Sequence, residues 1–193
     1  ALPLGGFGAL QCQRWLNERQ TLQSRWQNWQ ADDWQVLPTQ SLSLSCTDGP
    51  ELHAQWADQS HPMWRQSLDG SRWLQVQWRN GAVLQGNEKK RQPRLDTLPQ
   101  LWLYHLLACA SGTPTTSVQI GLDAAIEFQP IEAAQAQKQL SQLCHLYAQA
   151  WVEPLPVAAK TACVFAMAAA AKHKDPRSKA KTAFEGAYQK RGE

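Results

Sequence analysis

The chain has 193 residues, of which 43% are apolar and 18% charged, and a net charge of +3. That length and balance suit one globular domain with a sizeable core and exclude a disordered chain. No stretch approaches the ~18 uninterrupted apolar residues of a membrane span, and the opening Ala-Leu-Pro-Leu-Gly-Gly-Phe-Gly has neither the basic nor the apolar region of a secretory signal.

In chain order, residues 1–8 read as a Gly-rich entry cut from a longer chain. Helical spacing of Leu10, Trp15, Leu16, Leu22, Trp26 and Trp29 predicts an amphipathic helix over 8–30. Leu42-Ser-Leu-Ser alternates as a strand, Thr47-Asp-Gly-Pro50 forms a turn, and Leu52–Trp56 is the returning strand. Residues 57–72 read as a polar loop with a short strand around Trp64. Residues 73–86 alternate on both sides of Asn80-Gly81, which predicts a β-hairpin with a type I′ turn. A basic linker over 87–96 leads to a Leu- and Trp-rich helix over 97–110, with Thr97 as its N-cap. Thr115–Leu122 is β-rich, Ala125–Gln129 is its short partner, and Ile131–Trp151 is a second long helix. An Ala-rich helix over 158–173 and a basic helix opened by Pro176 close the chain. The order predicts an α/β or α+β domain: a mixed central sheet flanked by helices, with a helical C-terminal tail. The boundaries expected are one domain over 1–193, with a core at about 8–152 and a basic helical tail at about 157–193.

Five cysteines (12, 46, 109, 144, 163) form no CxxC and fit reduced thiols in a cytosolic protein. His105 and Cys109 lie one helical turn apart, as metal ligands could, but no further ligands stand at a telling spacing, and core packing is the expected role. There is no P-loop, no GxSxG and no dinucleotide-binding glycine pattern, so nucleotide binding or serine hydrolysis by those routes has no support; no cofactor, metal or small-molecule substrate is expected. Two basic patches could meet phosphates: residues 88–94 and the seven Lys or Arg of 172–193. Ten Trp imply large buried or interface surfaces.

Several motifs carry a family resemblance. They are Leu-Pro-Leu-Gly-Gly-Phe-Gly at 2–8, Gln100-Leu-Trp-Leu-Tyr-His-Leu-Leu107 running on to Cys109-Ala-Ser-Gly112, Phe184-Glu-Gly186 and Arg191-Gly-Glu193. With the preceding hairpin they resemble the C-terminal domain of the RecC family, the gamma subunit of exodeoxyribonuclease V, the RecBCD helicase–nuclease. The resemblance implies a degenerate PD-(D/E)xK nuclease-like fold in a bacterial cytoplasmic complex for DNA repair and recombination. Its implied partners are the RecB and RecD subunits and DNA. It also implies that the chain is a fragment at both ends.

Active relatives of that fold carry an Asp on one hairpin strand, Asp-x-Lys on the next and Gln-x-x-x-Tyr on the following helix. The carboxylates hold Mg²⁺ and the Lys orients the nucleophile. Gln100 and Tyr104 match the helix motif. In the preferred register Gln75 replaces the first Asp and Gln85-Gly-Asn87 replaces Asp-x-Lys; another register uses Gln55 with Gln75 or Gln77. Neutral amides cannot supply the charge a hard dication needs, so the expected function is a non-catalytic scaffold. Lys89, Lys90, Arg91 and Arg94 are the expected phosphate contacts. A literal Asp…Glu-x-Lys match at Asp69, Glu88 and Lys90 makes an active Mg²⁺-dependent nuclease the first alternative. A protein-only interaction domain is the second.

Overall fold

A computed structural model describes residues 5–29, 34–45, 50–57, 63–87, 91–153, 158–172 and 174–189. The chain divides into two compact units, residues 1–145 and 146–193.

The first unit begins with α1 (Gly6–Gln27), free of proline and supported by Arg14–Glu18 at 2.8 Å and Gln13–Asn17 at 3.0 Å one turn apart. The strands that follow are β1 (Trp34–Val36), β2 (Gln40–Leu44), β3 (Leu52–Trp56), β4 (Met63–Ser67), β5 (Trp73–Trp78), β6 (Leu84–Gln85) and β7 (Gln92–Pro93). Helix α2 (Pro99–Ala110), strands β8 (Thr115–Ile120) and β9 (Ala125–Phe128), and the start of α3 (Ala133–Val152) complete it. Five strands make one sheet in the order β1-β4-β5-β8-β9. The β5–β8 pair is parallel and the other three pairs are antiparallel. A parallel pair needs a crossover, and α2 is that crossover. This is the mixed sheet with flanking helices, an α+β architecture, that the element order predicts.

Strand parity sorts the two faces. Leu74 and Val76 of β5 join Val118 and Ile120 of β8 and Leu22 of α1 in one cluster. The odd residues face the other way, where Trp73 and Trp64 pack with Leu106, Leu107 and Cys109 of α2 and with Ala136 and Leu140 of α3. The periodicity of α1 and α3 exceeds what the described residues bury. Leu10, Trp15 and Leu16 of α1, and Leu143 of α3, are exposed.

The predicted β2–β3 strands pair antiparallel, Leu42 opposite Ala54, in a small sheet of their own. The predicted 73–86 hairpin does not form. Neither Asn80 nor Gly81 adopts a positive φ. Instead Arg79 N–H donates to the Ile120 carbonyl at 2.9 Å and Leu122 N–H donates to the Gly81 carbonyl at 3.0 Å, so the chain runs on beside β8. Both edges of β5 are already occupied, by β4 and β8, which leaves β6 to pair with β7 in a separate two-stranded sheet.

The hairpin that does form is β4–β5: β4 is the short strand expected around Trp64, and β5 is the first strand of the predicted hairpin. Asp69-Gly70 turns it: Gly70 sits at φ 71°, where glycine is at ease. The Asp69 carboxylate accepts from Ser67 Oγ at 2.5 Å, Ser71 N–H at 3.1 Å and Ser71 Oγ at 2.8 Å. Thr97 is not the α2 N-cap either. Its hydroxyl goes to the Arg94 carbonyl and to Gln119, and Pro99 opens the helix, where a missing N–H costs nothing.

In the second unit, α4 (Ala159–Ala170) packs on α5 (Pro176–Gln189). Pro176 opens α5 as predicted, and the Asp175 carboxylate accepts the Ser178 N–H at 3.0 Å as its cap. No helix among the described residues is long and apolar enough to cross a membrane.

The crossing at the end of β8 is tight. A Cβ on Gly121 would stand 2.5 Å from Val83 Cγ1 and 2.8 Å from the Gly81 carbonyl oxygen. Gly121→Ala is expected to lower unfolding free energy by about 1–3 kcal/mol. Urea unfolding of wild type and variant checks this, and an unchanged midpoint counts against the crossing.

Candidate functional site

The parallel pairing sets polar side chains of β5 and β8 shoulder to shoulder under α2. Gln75 lies opposite Ser117 and Gln77 opposite Gln119. Gln75, Ser117 and His105 are fully buried, and Gln119 nearly so. Ser117 Oγ donates to Gln75 Oε1 at 2.6 Å and lies 2.9 Å from His105 Nδ1. His105 Nε2 in turn lies 3.7 Å from Cys109 Sγ.

One strand step further, Gln119 Nε2 donates to Gln77 Oε1 at 3.2 Å and to the Thr97 carbonyl at 3.0 Å. The Thr97 hydroxyl donates to Gln119 Oε1 at 3.0 Å. Gln77 Nε2 reaches Gln100 Oε1 on α2 at 3.3 Å. The result is a two-rung ladder of neutral groups. Gln75 Nε2 is its one buried atom without a partner.

The electrostatics keep the ladder neutral. Burial pushes His105 down to about 4, against a smaller opposing effect of a hydrogen bond to the Gln129 backbone, so the imidazole carries no charge at neutral pH. Burial pushes the Cys109 thiol up, which keeps it protonated and unreactive. Trp102 stacks on His105 at 5.3 Å, and Phe128 closes on both rings. Among the described residues no group of three or more His, Cys, Asp or Glu could hold a metal ion. The His105–Cys109 pair meets Ser117 and the Thr115 carbonyl instead of further ligands.

Of the residues singled out from sequence, Gln75, Gln100 and Tyr104 lie on β5 and α2. Tyr104 packs half-buried against the Trp73 cluster. Gln100 contacts Gln77, not Gln75. Gln85 and Asn87 are exposed and lie past the end of β5; the strands beside Gln75 carry Trp64 and Ser117. Gln55 lies on β3, outside the central sheet.

Asp69 lies at the opposite end of β5. Its three hydrogen-bond donors, the Ser67 hydroxyl foremost, hold its carboxyl at about 2. Glu88, Lys89 and Lys90 lie outside the described residues. Arg91 is exposed, while Arg94 is half-buried and reaches Asp96 at 3.6 Å. Sequence reading missed Ser117, Gln119 and Thr97. Their signal was the parity of Thr115, Ser117 and Gln119, polar at every second position as in Gln75 and Gln77.

The α2 motif that carried the resemblance thus faces a strand pair at the centre of a mixed sheet, and the family model for the RecC C-terminal domain matches residues 1–170. The chain belongs to that family. Its place is therefore in a RecC subunit of RecBCD, the exodeoxyribonuclease V of DNA repair. No individually curated protein matches the chain.

A RecC domain with this ladder has a definite acid sensitivity. Folded His105 binds its proton only near 4, while the unfolded chain binds it near 6.5. Between those values the unfolded state holds more protons, so stability falls as pH drops from 6.5 towards 4, by up to about 3 kcal/mol, and His105 contributes no further loss below. His105→Gln is expected to flatten that limb in unfolding free energies measured from about pH 7 to about pH 4. Asp69, with its lowered value, acts only between 3.8 and about 2 and leaves the limb alone.

Proposed function

We propose that this domain is a non-catalytic, nuclease-like scaffold of the RecBCD complex, binding the RecB and RecD subunits and guiding DNA strands in the bacterial cytoplasm. The observation that carries the reading is the neutral ladder. In the active fold the carboxylates and Lys stand on the hairpin that precedes the Gln-x-x-x-Tyr helix. We equate that hairpin with β4–β5, whose same-face doublet beneath α2 is Gln75 and Gln77. We take these two, with Gln100 and Tyr104, as the remains of the site.

A hard dication requires anionic oxygens to displace its water, and amides and hydroxyls of this kind supply none of the charge. Metal-assisted hydrolysis at the ladder then has neither a Lewis acid nor a generated hydroxide. Asp69 supports the active alternative poorly. Its oxygens are committed to the β4–β5 turn, and Leu84, the start of the segment leading to residue 88, is held by Asp123 at the far end of β8.

RecC purified free of RecB is expected to leave single- and double-stranded DNA intact with Mg²⁺ or Mn²⁺. Cleavage that Glu88→Ala abolishes would establish the active alternative in its place.

Strand guidance also separates from a protein-only role. Lys89, Lys90, Arg91 and Arg94 are the proposed phosphate contacts. Replacing Lys89, Lys90 and Arg91 with Ala is expected to weaken binding of single strands to RecC and to reduce the slope of log K against log salt by about 2. An unchanged slope favours a domain that touches only protein.

A further inference from the structure

The even side of the sheet carries a groove the scaffold reading leaves unassigned. Trp15, Arg19, Leu22, Gln23 and Trp26 recur at helical spacing along α1 and face Trp78 and Asn80 at the end of β5. Together with Glu18 they line a groove of about 580 Å³. Buried Leu22 is its floor, Trp15 is 50% exposed and Trp78 is 37% exposed. Trp26 and Trp78 lie 5.8 Å apart with planes inclined by 59°.

The geometry points to a binding site for single-stranded DNA, with bases stacked on the indoles of Trp15 and Trp78 and a phosphate met by Arg19; it rests on the strand-guiding role proposed above. Three observations favour that occupant. First, the aromatic walls offer π-faces, which every base can stack on without regard to sequence. Second, the rim is made of amides, Gln23 and Asn80, which suit the hydrogen-bonding edges of bases better than an aliphatic peptide face. Third, the charge is right for a polyanion. Glu18, the one acid of the lining, is held by Arg14 at 2.8 Å. Arg19 is exposed and has no ion pair among the described residues. A guanidinium beside aromatic rings can meet a phosphate while the rings stack on a base.

The test uses RecBCD assembled with full-length RecC, carrying Trp15→Ala, Trp15→Phe or Arg19→Gln, and a duplex with a single-stranded tail. Trp15 is half in solvent, so its removal leaves the core intact. Trp15→Ala is expected to weaken tail binding about ten-fold, while Trp15→Phe keeps most of the affinity. Arg19→Gln is expected to reduce the salt slope by about 0.7. Ultraviolet crosslinking of a halogenated-pyrimidine tail should map to Trp15 or Trp78. Wild-type tail affinity and salt slope in all three variants overturn the site. Loss of RecB or RecD from the Trp15→Ala complex also overturns it, by making the groove a protein interface. The Lys89, Lys90 and Arg91 replacements test strand guidance without touching this groove, so the site and the reading it rests on fail separately.

Discussion

The in-register parallel pairing of β5 with β8 governs the first unit. It places Trp73 beside Thr115, Gln75 beside Ser117 and Trp78 beside Ile120, and it obliges the connecting chain to cross over the sheet as α2. With β4 on its other side, β5 has no free edge. Residues 79–87 must therefore leave along the end of β8, where Asp123 accepts the N–H groups of Val83 and Leu84 at 2.7 and 3.1 Å. Gly121 is needed at that point because the Gly81 carbonyl comes too close for any side chain. A one-residue slip would send Leu74 and Val76 under α2 and the glutamines under α1, so two hydrophobic clusters and a polar ladder all oppose it.

Burying that ladder is tolerable because nearly every member is satisfied by a neutral partner. Each such bond contributes about 1 kcal/mol net, and an orphaned buried group costs about 1–3 kcal/mol. Gln75 Nε2 stands as a single debit of that size beside five bonds between side chains, two joining β5 to β8 and three joining these strands to α2 and Thr97. A carboxylate at Gln75, fully buried beside another at Gln77, would be far costlier without a cation to balance it. The amides remove that dependence. They fill the position with hydrogen-bonding groups that bring no buried charge to be balanced. The low value of His105 has the same origin, since burial penalises a charged imidazole there.

Much of this was legible in sequence, and the failures share a cause. Alternation in Trp73–Trp78, the β-rich run at Thr115–Leu122 and the Leu- and aromatic-rich stretch over 97–110 are local signals, and a strand, a strand and a helix formed there. Pairing is not local. Asn80-Gly81 is a strong turn signal, yet the hydrogen bonds available along β8 outweigh it. Asp69-Gly70 turns the chain because Ser67 and Ser71 stand where the carboxylate can bind them. The polar partners of Gln75 were invisible for the same reason, since Ser117 is 42 residues away. Helical periodicity likewise marks an amphipathic face without saying what covers it. Leu22 of α1 is buried against the sheet, while Leu10 and Trp15 of the same helix stay exposed.

Strand parity also separates the two chemistries of the molecule. Gln75 and Gln77, proposed above as the remains of a site, are odd on β5 and face α2. Trp78 is even and meets Trp26 of α1 on the opposite side of the sheet. Side chains on opposite faces share no partners, so substitutions at Gln75 and Gln77 and substitutions in the aromatic groove should combine additively. A fold arranged this way can lose the charge on one face without disturbing a binding surface on the other. On the proposed scaffold reading, that independence is a physical route by which a nuclease-like frame could keep a DNA-handling surface without the means of cutting. It requires only that the β5–β8 register be preserved, and the neutral ladder preserves it.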